Sequence, residues 1–375
     1  MTPPPVHPNL RNRRQILKLI RTRGEASRAE LSKLTGLTRP TISTVVSELL
    51  AAGLVMETGK GSSSGGKRPI LLKLRPDCRY AIGIDLADEY QIRGVLCDLT
   101  GQVVRHKNLT YSNRFESIFT ALRQLITLLR QGDVCGVGIA VSGLLDAEHR
   151  EIVSSSNFDI AGRNLAGRLQ KLFNLPILLE KRPNAAAFAE KHAGCALACK
   201  SLVYMTSGRG VGAGIIVDGK IFRGSFGAAG EIGQMQMPFE PEPEFTGASR
   251  ALEDLTRDSA LTDMISNAKD RPLKYQEILD LYQAGDPDAV RIFRKNARFL
   301  ACAAQVMSNL LNPEAVVLGG RAPELGERYL NDFREYFHDG GSSADTQVLY
   351  SMFGRHGSAR GGAMTVLDRV YNFTL

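Results

Sequence analysis

The chain has no apolar run long enough to cross a bilayer, and Met1 to Arg14 lacks the apolar segment of a secretory signal. Both absences make the cytoplasm the expected compartment and exclude a membrane partner. Cysteine is sparse and scattered, with six residues in 375, at Cys78, Cys97, Cys135, Cys195, Cys199 and Cys302. In that compartment they are expected to stay reduced. Cys195 and Cys199 lie one helical turn apart, but no second ligand pair accompanies them, so they read as small buried hydrophobes. Acid is short in one region only. Residues 1–79 hold 15 Lys+Arg against 5 Asp+Glu, whereas the remainder holds 32 against 34. A basic end on a nearly neutral body is the electrostatic footprint of a nucleic-acid module attached to something else.

The basic region carries a pattern that explains its charge. Ser27-Arg28-Ala29-Glu30 is a capping box, in which Ser27 can bond a free amide of the first turn and Glu30 can reach back. The helix it opens stops at Gly36, where the chain can turn without a Cβ penalty. Thr38 caps the next helix, with Pro40 in its first turn. Ile42, Val45, Val46, Leu49 and Leu50 then recur as a single buried stripe. The opposite face shows Arg39, Thr41, Ser43, Thr44 and Ser47, side chains able to lie close to base edges. A strand from about Gly53, a glycine-rich tip over 59–66 and a return strand from Arg68 complete a wing. Lys67 and Arg68 behind the tip are placed to enter a minor groove. Residues 1–76 therefore read as a winged helix-turn-helix, with Arg28, Thr38, Arg39, Thr41, Ser43, Thr44, Lys67 and Arg68 as candidate contacts to double-stranded DNA. Ahead of it, Thr2 to Pro8 reads as a proline-rich arm. A first helix from about Leu10 carries Ile16, Leu17 and Ile20 inward and Arg11, Arg13 and Arg14 outward.

Residues 77–375 have an α/β pattern in which strand hairpins, a helix and a strand occur, and then recur. The first set runs through Ala81 to Asp98, a helix near Phe115 to Arg130 and the strand Val134 to Val141. The second runs through Ser201 to Arg223, a long helix near Asp288 to Leu311 and the strand Ala315 to Leu318. Two similar lobes with a cleft between them follow. The first is expected over about 77–190 plus the C-terminal end, the second over about 191–350.

Six glycine-rich landmarks then fall in order behind the winged helix. They are Ile82-Gly83-Ile84-Asp85, Gly138 to Asp146, Asn184-Ala185-Ala186-Ala187, Gly208 to Gly214, Gly227 to Gly233, and Val317-Leu318-Gly319-Gly320. In this order they resemble the ROK family of repressors, open reading frames and sugar kinases, from residue 10 nearly to the C-terminus. The resemblance implies an actin-like, hexokinase-type body in the repressor branch. It also implies a homodimer or higher homo-oligomer that responds to a sugar.

The chain departs from the family's kinases at several positions. The kinase base is an Asp two residues before the Asn-Ala-Ala-Ala run; here stands Arg182, and a guanidinium cannot accept a proton at neutral pH. Asp88 and Glu89 follow Asp85 where the family has small glycines, and should repel a nucleotide tail. Arg209 occupies the second phosphate loop, where its bulk is expected to fill a tight turn. The zinc-binding His of the family is Gln234 here, and the acidic, proline-rich segment after it, Met237 to Phe245, has no cysteine. No catalytic residue, cofactor or metal is therefore expected. Of the family's sugar contacts, Asn157 and Glu231 match, while Lys181 and Arg182 replace an Asn-Asp pair. The pocket of Asn157, Lys181, Arg182, Glu231 and Gln234 suits a sugar, a sugar phosphate or a sugar acid, with an anion expected on Arg182 with help from Lys181. The competing readings are an inert pocket with Arg182 paired to Glu180, Glu231 or Asp85, a sugar kinase with a DNA-binding head, and a body that senses a protein partner.

Arginines from Arg11 to Arg28 give the first test. Because they contact phosphates, affinity for duplex DNA should fall at least about a hundredfold between about 50 and about 200 mM salt. Fluorescence anisotropy on labelled operator checks this, and a flat salt titration contradicts it.

Overall fold

The computed structural model describes residues 8–60, 68–87, 90–146, 148–155, 158–237, 250–339 and 345–371. The N-terminal arm before residue 8, the wing tip with Lys67, the pair Asp88–Glu89, Asn157 and the acidic proline-rich segment from residue 238 lie outside them.

The head is built as its local signals dictate. Helix α1 (Pro8–Arg23) leads to a short strand β1 (Glu25–Ser27), then α2 (Arg28–Thr35) and α3 (Arg39–Ala51). Ser27 accepts from the Glu30 amide while Glu30 accepts from the Ser27 amide, so the capping box forms in both directions. Gly36 sits at φ 72°, the left-handed turn that the sequence requires. Thr38 caps α3, and Ile42, Val45, Val46 and Leu49 are buried beneath it. The wing strands are β2 (Val55–Lys60) and β3 (Ile70–Leu74), and β3 also pairs with β1, a third strand that three residues were too short to signal.

Behind the head, two sheets repeat one topology. The first contains β4 (Tyr80–Ala87), β5 (Gln91–Asp98), β6 (Val103–Thr110), β7 (Val134–Val141) and, after a small hairpin of β8 (Leu144–Leu145) and β9 (Ile152–Ser154), β10 (Ile177–Lys181). Helices α4 (Phe115–Leu129) and α5 (Leu165–Phe173) connect them. Helix α6 (Arg182–Ala193) leads into the second sheet of β11 (Leu202–Ser207), β12 (Gly212–Val217) and β13 (Lys220–Phe222). Four helices follow, α7 (Leu252–Thr256), α8 (Asp258–Ala268), α9 (Tyr275–Ala284) and α10 (Pro287–Leu311). Then come β14 (Ala315–Gly320), α11 (Gly326–His338), β15 (Gln347–Tyr350) and α12 (Gly357–Tyr371). The sheet orders are β6-β5-β4-β7-β10 and β13-β12-β11-β14-β15, the same arrangement of hairpins and parallel crossovers. This is the recurrence legible in the sequence.

The last helix returns to the first lobe and is inlaid into it. A Cβ added to Gly361 would lie 1.7 Å from the Ala185 carbonyl oxygen of α6. One added to Gly83 of β4 would lie 1.8 Å from the carbonyl of Ala359, and one on Gly138 of β7 would lie 2.0 Å from that of Gly362. Glycine on both sides lets backbones touch where side chains would hold them apart. The far half of α12 joins the core of the head. Ala359, Ala363, Val366 and Leu367 belong to one buried apolar cluster with Ile16, Leu17 and Ile20 of α1, and with Leu72, Leu74 and Val95.

Gly361→Ala tests the inlay. A methyl cannot be accommodated without parting two backbones, so the variant should lose at least about 3 kcal/mol of stability or fail to fold. Thermal and urea unfolding read the change, and a loss below about 1 kcal/mol contradicts the close approach.

Candidate functional site

The DNA-facing surface comes first in the chain. On α3, Arg39, Ser43, Thr44 and Ser47 are exposed and Thr41 is half-buried. The threonines are partly committed to the helix itself. Thr38 Oγ1 lies 2.9 Å from Thr41 Oγ1 and caps the Thr41 amide, and Thr44 donates to the Pro40 carbonyl at 3.1 Å. Arg39 and Ser43 have no such partner among the described residues. Arg28 pairs with Glu57 of β2 at 3.0 Å, tying α2 to the wing, and Arg68 is exposed at the start of the return strand. One arginine of the expected row does not face DNA. The Arg21 Nη2 is shut off from solvent against the body. Burial lowers its guanidinium to about 10, against the pull of Asp368 and Asp98.

The second site lies between the lobes, where a cavity of about 220 Å³ is lined by both. Lys181, Arg182, Glu231 and Gln234 all line it, so four of the five expected ligand residues come together. The strand end of β10 and the start of α6 place the first two, and a short 3-10 turn at Ile232–Gln234 places the last. Arg182 is engaged. Its Nε donates to Asp85 Oδ1 at 2.6 Å and its Nη2 to Oδ2 at 3.3 Å, with Arg93 3.8 Å from the same carboxylate. Asp85 has no exposed surface, so its role is to hold this ion pair and not merely to cap a turn. Of the three pairings open to Arg182 in the sequence, Asp85 is the one formed.

Its neighbours are engaged as well, and across the cleft. Lys181 pairs with Glu231 and donates to the Ala229 carbonyl at 3.0 Å. Glu180 accepts from Arg223 Nε at 3.2 Å, from Asn184 at 2.9 Å and from the Lys181 amide at 3.0 Å. His149 Nδ1 stands 3.8 Å from Glu180, with its pKa lowered by burial against the pull of that carboxylate. Glu180 and Lys181, adjacent on β10, thus clasp a cation and an anion of the opposite lobe. Glu180 holds three donors at once.

The rest of the lining is basic. Arg209, Arg321 and Arg355 join Arg93, Lys181 and Arg182, against Glu231 and Glu253. Arg321 meets Asp258 at 2.7 Å and stacks 4.1 Å over Tyr275, and Arg355 meets Glu324 at 2.6 Å. Arg209 is exposed and lies 5.9 Å from the ring of Tyr90, in the other lobe, with no carboxylate partner among the described residues. The expectation that its bulk fills the turn is therefore corrected: the side chain swings out. The loop keeps its amides open, since Gly208, Arg209 and Gly210 N–H donate to nothing among the described residues. Arg223, Arg321 and Arg355 escaped the sequence reading because their partners are distant in the chain, and Arg93 because its pairing with Asp85 depends on the register of the β4–β5 hairpin.

Residues 81–369 match the ROK family model, and residues 10–56 match a model of winged helix-turn-helix DNA-binding domains. The chain belongs to the ROK family. It is 30% identical over 370 residues to the xylose repressor of Bacillus subtilis, covering 95% of both chains. It is 24% identical over 329 residues to the DNA-binding transcriptional dual regulator NagC of Escherichia coli, covering 84% of this chain and 81% of that one. A solved ROK family transcriptional regulator, a homologue of the E. coli MLC protein, superposes with a TM-score of 0.83 at 22% identity, over 98% of this chain and 97% of that one. A ROK glucokinase from Streptomyces griseus, solved with glucose and AMPPNP, matches with a TM-score of 0.68 at 25% identity, over 76% of this chain and 98% of that one. This ROK protein thus combines a winged head with a two-lobed actin-like body. Among its described residues no helix is long and apolar enough to cross a membrane.

Removing one member of a buried ion pair strands the other. Arg182→Ala should cost on the order of 3 kcal/mol, since Asp85 then keeps only the more distant Arg93. Denaturant unfolding measures it, and a neutral result would show that the pair contributes nothing to the cleft.

Proposed function

We propose that this protein is a transcriptional repressor of carbohydrate-related genes whose body binds a sugar-derived ligand without phosphorylating it. The observation that carries the reading is Arg182 at the base position, locked onto Asp85 at 2.6 Å. Phosphoryl transfer to a sugar hydroxyl needs a positioned proton acceptor, and a guanidinium is none. Glu180, the other candidate, is spent on Arg223, Asn184 and the Lys181 amide. The head supports the DNA-binding half of the reading, and the repressors that the chain resembles from end to end support the regulatory half. Two copies assembled through the body would set the spacing of two heads on an operator.

The ligand class follows from the cavity's charge. Six basic side chains line the cavity, and five of them meet Asp85, Glu231, Asp258 or Glu324; Arg209, with no carboxylate partner among the described residues, favours an anion such as a sugar phosphate or sugar acid. Lys181 and Arg182 are already neutralised by Glu231 and Asp85. They therefore shape the wall with Gln234, while the charge is met by Arg209 and the open amides of Gly208–Gly210.

A ligand that binds only the folded state raises the melting temperature, by about 2.7 kcal/mol of stabilisation at a hundred times its dissociation constant. A thermal-shift panel should show stabilisation by sugar phosphates or sugar acids and little by the parent neutral sugars. Arg209→Ala should weaken that binding at least about tenfold. Stabilisation by neutral sugars alone, or by nothing at millimolar concentration, overturns the anionic effector.

A further inference from the structure

Helix α12 runs from the cleft to the buried apolar cluster shared with the DNA-binding head. At its start, Ser358 lines the cleft together with Arg355 of the preceding turn, and Ser358 Oγ donates to the carbonyl of Arg182 at 3.2 Å. Along its middle, Gly361 and Gly362 press backbone to backbone on α6 and β7, leaving no side-chain layer that could absorb a small shift. Arg360, also in the middle, donates to the Gly101 carbonyl at 3.0 Å and so grips the turn between β5 and β6. At its end, Val366 and Leu367 belong to the same buried apolar cluster as Ile16, Leu17 and Ile20 of the head, with Val95, Cys97 and Leu99 of the first lobe among its members. A helix of 15 residues spans about 22 Å, so its two ends stand in different parts of the molecule.

The contact with the head is also polar. Arg21 of α1 reaches the same β5–β6 turn that Arg360 holds, its Nη2 3.5 Å from the point where a Cβ of Gly101 would stand. The carboxylates of Asp98 and Asp368 pull on its buried guanidinium from β5 and α12, and Arg360 repels it. A buried cation is costly to strand, so any movement of α12 that parted Arg21 from Asp368 would have to carry α1 along or leave the charge unmatched.

We propose that α12 is a rigid rod coupling the cleft to the DNA-binding head, with Arg182 and Ser358 at its input end and Arg21 as the pin at its output end. The idea rests on the cleft being the effector site for its biological use, but its mechanics do not need a ligand. A change at the Asp85–Arg182 pair moves the Arg182 backbone and, through Ser358, the start of α12. Because α12 is inlaid between glycines, it moves as one body, and α1 follows. The recognition helix α3 packs on α1 through the same buried cluster and so is reoriented relative to the body.

The test perturbs one end and reads the other, in the full chain without ligand. Hydrogen exchange is compared between the wild type and Asp85→Asn, which weakens the hold on Arg182. The rod predicts faster exchange, by about threefold or more, in 357–371 and in 16–22 together, with 287–311 of the second lobe unchanged. Duplex DNA affinity should change by a similar factor in the same variant. Adding Arg21→Met should confine the effect to α12 and free 16–22 from it. A response in 182–186 and 357–361 that never reaches 16–22 overturns the rod, and one that reaches it equally in Arg21→Met overturns the pin. Should Asp85→Asn fail to fold, Ser358→Ala interrupts the input end more gently and is read the same way. Failure of this test leaves the anionic effector standing, and failure of the ligand panel leaves the rod standing.

Discussion

A carboxylate without exposed surface needs a cation beside it, and Asp85 has chosen Arg182. Much of the molecule depends on that pair. It fastens the end of β4 to the first residue of α6, so the strand that opens the first lobe and the helix that leaves it share one fixed point. It fills the position of a catalytic base with a group that cannot take a proton. It also neutralises one positive charge of the cavity, which on the proposed reading leaves the anion to Arg209 and the Gly208–Gly210 loop. One substitution therefore bears on architecture, chemistry and ligand class together.

Around that point charge bridges the cleft. Glu180–Arg223 and Lys181–Glu231 cross the opening side by side with opposite polarity. Their β10 members are buried, so neither pair opens unless another charge takes the partner's place. A ligand that supplies such a charge would bind the opened and closed arrangements unequally, which is what a binding switch requires. The second lobe is anchored independently by a large apolar core around Phe293, Phe333 and Phe337, so rearrangement at the cleft need not disturb it.

The head was the most legible part of the chain because its signals are local. A capping box, a left-handed glycine, a proline in the first turn and an apolar stripe each act within a few residues. The two lobes were legible at a coarser level, since strand and helix order repeats and the glycine landmarks keep their sequence. What the residues could not disclose was who meets whom at long range. Asp85 and Arg182 are 97 positions apart, and Ser358 and Arg182 176 apart. Arg21 looked like any other arginine on a basic helix, because a pattern of apolar positions says which face is buried but not that a charged residue at its edge is covered by another domain. Gly361 and Gly362 carry no signal of their own in a helix, where glycine is usually a cost. Their purpose is visible only once α6 and β7 lie against them. Arg209 was misjudged for a related reason, since the turn's size was legible but the direction of its side chain was not.

The account stands on one claim, that the kinase-like body controls a DNA-binding head and transfers no phosphoryl group. The most direct measurement follows both properties in one sample, with full-length protein on a duplex containing its operator, Mg-ATP present, and the ligand found by thermal shift added stepwise. Operator occupancy by anisotropy and phosphorylated sugar by mass spectrometry are read together, the parent aldose being supplied as acceptor. The account predicts that occupancy responds to the ligand while no phosphorylated sugar forms above the protein-free rate. Sustained turnover of ATP with an aldose, or occupancy indifferent to every ligand that stabilises the protein, would contradict it.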